Sequence, residues 1–433
     1  MKSKKYNISE ICYLNKTSIS NDEISEFILY LDTSNIKKNK IAEIKKVKKN
    51  SIPSRAKRKV KNNTIVYSTV RPNQEHYGIL ENPDENLIVS TGFTTLDVKN
   101  QDINPKFLYY LLTRKDITNH LHKIAENSVS SYPSIKPADI GNLNLNFPDS
   151  ITIQQKIASV LSSLDDKIEL NNRINAELEA MAKTIYDYWF VQFDFPISPE
   201  KAEAMGQPEL AGKPYKTSGG KMVYNEKLKR EIPEGWEVGC FGDYSKVKSG
   251  FAFKSKWWTE KGVPVIKIKD ISENYTLNQS QLSFVNKDKI NTAKRFLSKP
   301  GDVVIAMTGA TIGKFAIIPK TSKSLLVNQR VGLYNLGEDP FQKVSFLINS
   351  MKQDLFRAQI FKIGSGAAQP NISGDQLDSI SLGIPPNDLI KTFNKKTESI
   401  YKIISNKIFE NQQLTEIRDW LLPMLMNGQV TVR

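Results

Sequence analysis

Cysteine and histidine are scarce in this chain. There are two cysteines, Cys12 and Cys240, and three histidines, His76, His120 and His122. Two thiols so far apart make no disulfide framework, a pattern that fits a reducing compartment. These five residues also lack the spacing of a zinc site. His120 and His122, two apart in a helical pattern, would not share a face. No stretch approaches the ~18 apolar residues of a membrane span. The start, Met1-Lys-Ser-Lys-Lys-Tyr-Asn, has no apolar run of the kind that opens a signal peptide. The expected location is the cytoplasm.

Recognisable catalytic constellations are missing as well. Gly309-Ala-Thr-Ile-Gly313-Lys314-Phe resembles a phosphate loop, but three residues separate its glycines instead of four. Phe also stands where Ser or Thr should hold magnesium, so a turn between strands is the simpler reading. Ile384-Pro-Pro-Asn387 lacks the leading Asn and trailing aromatic of an amino-methyltransferase motif. No glycine-rich loop follows a strand as a dinucleotide fold requires. Asp165-Asp166 lies in a polar helical stretch and reads as a solvated face.

Acidic residues are outnumbered. Lys and Arg total 61 against 46 Asp and Glu, a formal charge of +15. Such an excess calls for a polyanionic partner, with nucleic acid the leading candidate. At 433 residues and 39% hydrophobic, the chain can build two or three cores.

Comparison of the chain with itself is more informative. Pro133-Ser-Ile135, Ile140, Leu143, Leu145 and Phe147-Pro148 recur as Pro370-Asn-Ile372, Leu377, Ile380, Leu382 and Ile384-Pro385 at an offset of 237. Ala56-Lys57-Arg58 matches Ala293-Lys294-Arg295 at the same offset. Thr64–Ser68 matches Asp302–Ala306 at 238, and Lys167-Ile168 with Asn171 matches Lys407-Ile408 with Asn411 at 240. An offset that drifts so little indicates a duplication.

Each copy begins with short β-branched runs broken by turn residues and ends in a long helical pattern. Apolar residues in these helices form a narrow seam: Ile157, Leu161, Leu164, Ile168, then Ile174, Leu178, Met181, Ile185. The second helix has Ile400, Ile404, Leu414, Ile417 and Leu421. Nearly forty residues give about 55–60 Å of helix. Neither helix can hide its seam alone, which predicts an antiparallel pair, with packing of each on its own domain as the alternative. Asn171 and Asn411 either meet within the seam and fix its register or point to solvent beside it.

The expected fold is α+β: two pseudo-twofold-related α/β domains joined by two long antiparallel helices. The predicted divisions are a first domain over 1–150, a helix over 151–191, a connection over 192–231, a second domain over 232–385, and a helix with tail over 386–433. The stretch Pro196–Glu234, rich in Pro, Gly, Lys and Glu, reads as a long surface connection.

Several residues are candidates for nucleic-acid contact. Lys37 to Lys61 holds twelve basic residues and one acid, Glu43. Lys57 and Arg58 stand out there because Lys294 and Arg295 repeat them, and Arg55 lies beside them. A basic residue kept in both copies suits phosphate contact, which carries no sequence information. The loops ending at Tyr132 and Gln369, the latter with Ser365, and the following Asn371 could approach bases. Gln369 and Asn371 have the bidentate amides that suit adenine. In Asn328-Gln329-Arg330, the arginine suits guanine; Ser90-Thr-Gly92 takes that place in the first copy. Ordinary strand-capping turns are the alternative.

The chain resembles the specificity subunits of type I restriction–modification enzymes over nearly its whole length. The resemblance lies in Leu164–Asn175, Leu178–Ala182, Tyr188–Val191, Gly220–Tyr224 and Ile232–Trp236. It continues in Gly301-Asp-Val-Val, Thr308–Lys314 and Gly366–Ile372. The first domain departs from the pattern: it lacks a Gly before its Ile65 strand and any match to the Thr308–Lys314 turn. The resemblance implies two target-recognition domains that read a bipartite double-stranded DNA target, Thr308 and Lys314 among the contacts. It also implies a non-catalytic subunit docking methyltransferase subunits, two of them, which carry S-adenosylmethionine, and later nuclease–translocase subunits, which use ATP. This chain would bind neither cofactor. A stand-alone DNA-binding regulator is the competing reading.

Overall fold

The structure, a computed structural model, describes residues 2–432 except 25, 129–131, 273, 280–281 and 365–370. The chain divides into two compact units, Met1–Asp166 with Leu414–Arg433, and Lys167–Gln413. Two long helices, α1 (Ile151–Tyr186) and α2 (Asn387–Met426), each contribute to both.

In the first unit a four-stranded antiparallel sheet runs in the order Cys12–Leu14, Phe93–Val98, Thr64–Ser68, Tyr77–Leu80. Its side chains alternate between faces, as strand geometry requires. Ile65, Tyr67, Tyr77 and Leu96 pack on helices Pro105–Leu112 and Lys115–Glu126. Val66, Leu80 and Phe93 pack on Leu31, Leu87 and Val89 of a second sheet. That sheet runs Lys45–Lys48, Phe27–Leu31, Leu87–Ser90, Ala56–Lys59, with one parallel pair between its two inner strands.

The second unit repeats this plan. Val247–Ser249, Val331–Tyr334, Val303–Ala306 and Phe315–Ile317 form the first sheet. Val303 and Ile305 face a helical layer, while Val304 and Ala306 face the second sheet. In the latter, Val263–Ile266 and Leu325–Val327 are again the parallel inner pair. Even the pairing of an early strand with the last before the long helix recurs, Ser3–Asn7 with Asn144–Pro148 and Glu237–Cys240 with Ser381–Ile384.

The helices are antiparallel. In the second unit Asn171 meets Asn411, and Tyr186 packs on Phe393 with ring centroids 5.9 Å apart. In the first, Arg418 binds Asp165 at 2.7 Å. The seam keeps most of the expected positions, Ile157, Leu161, Ile168, Leu178, Ile185, Ile400, Ile404 and Leu421 among them, and departs from the rest. Beyond Ile168 the inward positions are Asn171, Asn175, Leu178 and Ala182, a regular 3-4-3-4 spacing, and Met181 is 56% exposed. On α2, Ile417 is 46% exposed and Arg418 turns inward. Apolar periodicity misplaced these stretches because the true seam is polar there.

Asn171 is fully buried, and its Nδ2 donates to Asn411 Oδ1 (2.9 Å) and Glu410 Oε2 (3.0 Å). Asn411 Nδ2 donates to Asn172 Oδ1 at 2.9 Å. The register-fixing arrangement is therefore the one adopted. Asn171 and Asn411 are repeat equivalents, so each copy supplies one member of the pair.

The stretch expected to be a surface connection is built into the second unit. Phe193, Phe195, Ile197 and Tyr215 are buried there, and Phe195 stacks on Tyr215 and Trp236 with centroids 4.8 and 5.7 Å away. Its Pro, Gly and charged residues masked these few aromatic anchors. Among the described residues, no helix is long and apolar enough to cross a membrane.

Candidate nucleic-acid interface

Three segments of the second unit converge at one end of its first sheet. They are the hairpin turn Met307–Lys314, the turn Asn328–Arg330, and the chain entering at Asn371. Met307 N donates to the Arg330 carbonyl (3.0 Å), and Ile372 N donates to the Met307 carbonyl (2.9 Å). A bridge pairs Thr308 with Asn371. Thr308, Arg330 and Asn371 thus come together, with Gln329 adjacent. Gln329, Arg330 and Asn371 are exposed and Thr308 is half-buried. Thr308 Oγ1 has no hydrogen-bond partner among the described residues. The Thr308–Lys314 segment is a turn between antiparallel strands: Ala306 N donates to the Lys314 carbonyl and Gly313 N to the Ala306 carbonyl. Lys314 closes its far end and is half-buried. Ser365 and Gln369 lie outside the described residues.

The Asn328–Arg330 turn is seated from below. Gln329 N donates to the Phe251 carbonyl at 3.0 Å, and Phe251 packs on Phe296 with centroids 5.4 Å apart. Gly250 lies under the turn; a Cβ there would stand 2.4 Å from the carbonyl oxygens of Val327 and Asn328. Phe296 ends the short helical turn that exposes Lys294 and Arg295. These two cations therefore join the Arg330 turn through Phe251, on the edge of the second sheet.

In the first unit the same frame recurs bond for bond. Thr69 N donates to the Gly92 carbonyl (2.9 Å) and Ile135 N to the Thr69 carbonyl (2.8 Å), and Val70 pairs with Ser134. Val70, Gly92 and Ser134 occupy the places of Thr308, Arg330 and Asn371. Arg55 adjoins this frame, its carbonyl accepting from Thr91 N at 2.8 Å. Lys57 is exposed on the edge strand. Arg58 is drawn partly inward, with Nη1 3.4 Å from Ser18 Oγ. Tyr132 is 62% exposed.

A counterpart of the glycine-marked turn does exist in the first unit. Ser68 N donates to the His76 carbonyl, as Ala306 N does to that of Lys314. Three left-handed positions repeat at an offset of 238: Asn63 (φ +66°) for Gly301 (+91°), Arg71 (+47°) for Gly309 (+74°), and Glu75 (+60°) for Gly313 (+79°). Motif comparison missed the turn because every glycine is replaced; the constant offset was the signal that could have found it. Arg71 is the functional candidate that sequence reasoning passed over. Its guanidinium lies over the Tyr132 ring, 5.3 Å from the centroid. At the end of the turn, burial and then the Lys37 charge hold the His76 imidazole below its usual range.

Comparison with known proteins finds the same duplication. A family described as the type I restriction modification DNA specificity domain matches residues 2–180 and again 233–418. The chain is 30% identical over 446 residues to the type I restriction enzyme HindI specificity subunit of Haemophilus influenzae, covering 93% of this chain and 94% of that one. It is 25% identical over 359 residues to the MjaIX specificity subunit of Methanocaldococcus jannaschii, covering 82% and 75%. Among solved structures, the type I restriction–modification S subunit from M. genitalium aligns over 98% of this chain and 96% of its own. Its TM-score is 0.54 at 16% identity.

Proposed function

The chain belongs to the type I restriction–modification DNA specificity family, and from that membership we propose that it recognises a bipartite double-stranded DNA target for its enzyme partners. Those partners are methyltransferase subunits, two per chain, and restriction subunits, and the complex works in the cytoplasm. Modification and cleavage belong to the partners; this chain is the non-catalytic reader.

The observation that carries the reading is the repeated frame with exchanged side chains. One main-chain arrangement presents Thr308, Arg330 and Asn371 in the second unit, and Val70, Gly92 and Ser134 in the first. Identical scaffolds with different outward groups are what two unlike half-sites require. Arg330 suits guanine and Asn371 adenine, with Gln329, Thr308 and Lys314 beside them. Arg55, Lys57, Arg58, Lys294 and Arg295 suit the phosphates that position the duplex. Ser365, Gln369 and Tyr132 complete the contact set.

The test is to assemble the chain with its methyltransferase subunits and profile the methylated sites. Arg330→Ala should relax one position of one half-site, with about 1–3 kcal/mol of discrimination lost. Lys294→Ala should weaken binding to all sequences and reduce the salt slope by about 1. Relaxation of both half-sites by Arg330→Ala, or of neither while binding persists, would refute its assignment.

A further inference from the structure

The first unit has no basic side chain at the place of Arg330, where Gly92 stands. We propose that Arg71 is the guanine-reading residue of the first unit, and that Tyr132 is the platform that aims it. This rests on the reading of the chain as a bipartite DNA-recognition subunit.

Three observations converge on Arg71. The first is its place. Its backbone N donates to the Pro133 carbonyl at 2.9 Å, and its neighbour Val70 pairs with Ser134. Arg71 therefore stands one residue from the three-segment junction whose counterpart holds Arg330 and Asn371. The second is its backbone. Arginine at φ +47° occupies a left-handed position where the other unit has Gly309 at +74°. Glycine is at ease there and a residue with a Cβ is not. Residues kept in such conformations cluster at ligand-binding sites. Nothing in the turn's own hydrogen bonding uses the side chain: Gln74 N donates to the Arg71 carbonyl just as Ile312 N does to that of Gly309.

The third is its side-chain partner. An exposed tyrosine ring lies against the guanidinium, and both groups face solvent. Stacking on one face leaves the edge of the guanidinium free to donate two parallel hydrogen bonds. That edge matches the O6 and N7 acceptors that guanine presents in the major groove. The same fork could clamp a phosphate, and the two roles are separated by whether the target or only the affinity changes.

The experiment uses the chain assembled with its methyltransferase subunits and reads methylated sites genome-wide, together with the melting temperature. Arg71→Gly restores the residue type of the equivalent position, so the melting temperature should hold or rise. The target should relax at one guanine, with discrimination falling roughly 5- to 140-fold for a lost bidentate contact. Arg330→Ala should relax the opposite half-site. Tyr132→Leu should relax the same guanine as Arg71→Gly. If Arg330→Ala behaves as described but Arg71→Gly leaves both half-sites intact, the Arg71 assignment fails and the general reading stands. Uniform weakening with an unchanged target would make Arg71 a phosphate contact, again overturning it. A wild-type target that is not bipartite would refute the reading beneath, and this inference with it.

Discussion

The contact between Asn171 and Asn411 lends itself to a quantitative test. Asn171→Ala removes two hydrogen bonds donated by one buried amide, to Asn411 Oδ1 at 2.9 Å and to Glu410 Oε2 at 3.0 Å. The neutral bond contributes about 1 kcal/mol net. The bond to Glu410 involves a charge, but that side chain is 38% exposed, so screening limits it to no more than about 1 kcal/mol. Truncation leaves a small void, worth about another 1 kcal/mol. Against these, Asn171 Oδ1 is buried without a partner among the described residues, and its removal returns about 1 kcal/mol. The sum is a loss of about 2 kcal/mol, or about 4–8 °C in melting temperature for a unit of this size. Asn171→Leu loses the same bonds and relieves the same oxygen, but buries a full apolar side chain for about 1.5–2 kcal/mol. Its stability should match or slightly exceed wild type. The Asn171→Ala/Asn411→Ala cycle should show about 1 kcal/mol of coupling. Urea unfolding at constant m-value measures all four variants. Additive single substitutions, or Asn171→Ala equal to wild type, would show that the amides do not bond each other.

Two further outcomes follow from polar groups elsewhere in the first unit. Asp165 accepts from Arg418 Nη1 and from Tyr110 Oη, both at 2.7 Å. Burial opposes the Arg418 charge, but the Asp165 carboxylate outweighs it and holds the guanidinium protonated. Arg418→Leu should therefore cost about 1–3 kcal/mol by stranding a half-buried carboxylate, and adding Asp165→Asn should recover part of it; no recovery in unfolding experiments would refute the pairing. His76 is held below its usual range by burial and Lys37, so its contribution is intact above the unfolded value of about 6.5 and is lost as pH falls further. His76→Gln should flatten the drop in melting temperature between pH 7.5 and 5.5; equal drops in the two proteins would contradict this.

The duplication, the strand pattern and the two long helices were legible in the sequence, because each rests on apolar periodicity repeated at a fixed offset. Legibility failed where polar residues do structural work. Asn171, Asn175 and Arg418 carry the seam, so following isoleucine and methionine led to Met181 and Ile417, which face outward. The connection after α1 is anchored by Phe195, Tyr215 and Trp236, too few and too dispersed to stand out from prolines and lysines. At the candidate interface, Thr308, Arg330 and Asn371 could each be picked out of the sequence, but the backbone bonds that bring them together could not. Arg71 was hidden for a physical reason: a left-handed turn is normally read from its glycines, and in the first unit all three have been replaced.

The bonds that hold both recognition frames run from backbone to backbone. Thr69, Gly92 and Ile135 are tied as Met307, Arg330 and Ile372 are tied, whatever side chains they carry. On the proposed reading, a substitution at the exposed or half-buried residues beside these bonds, Arg330 and Asn371 in one frame and Val70 and Ser134 in the other, would alter what is read without dismantling what holds it. New targets would then be accessible through single changes that the scaffold tolerates, and the two half-sites could drift separately. Such an arrangement would let the recognised sequence change while the same architecture is inherited.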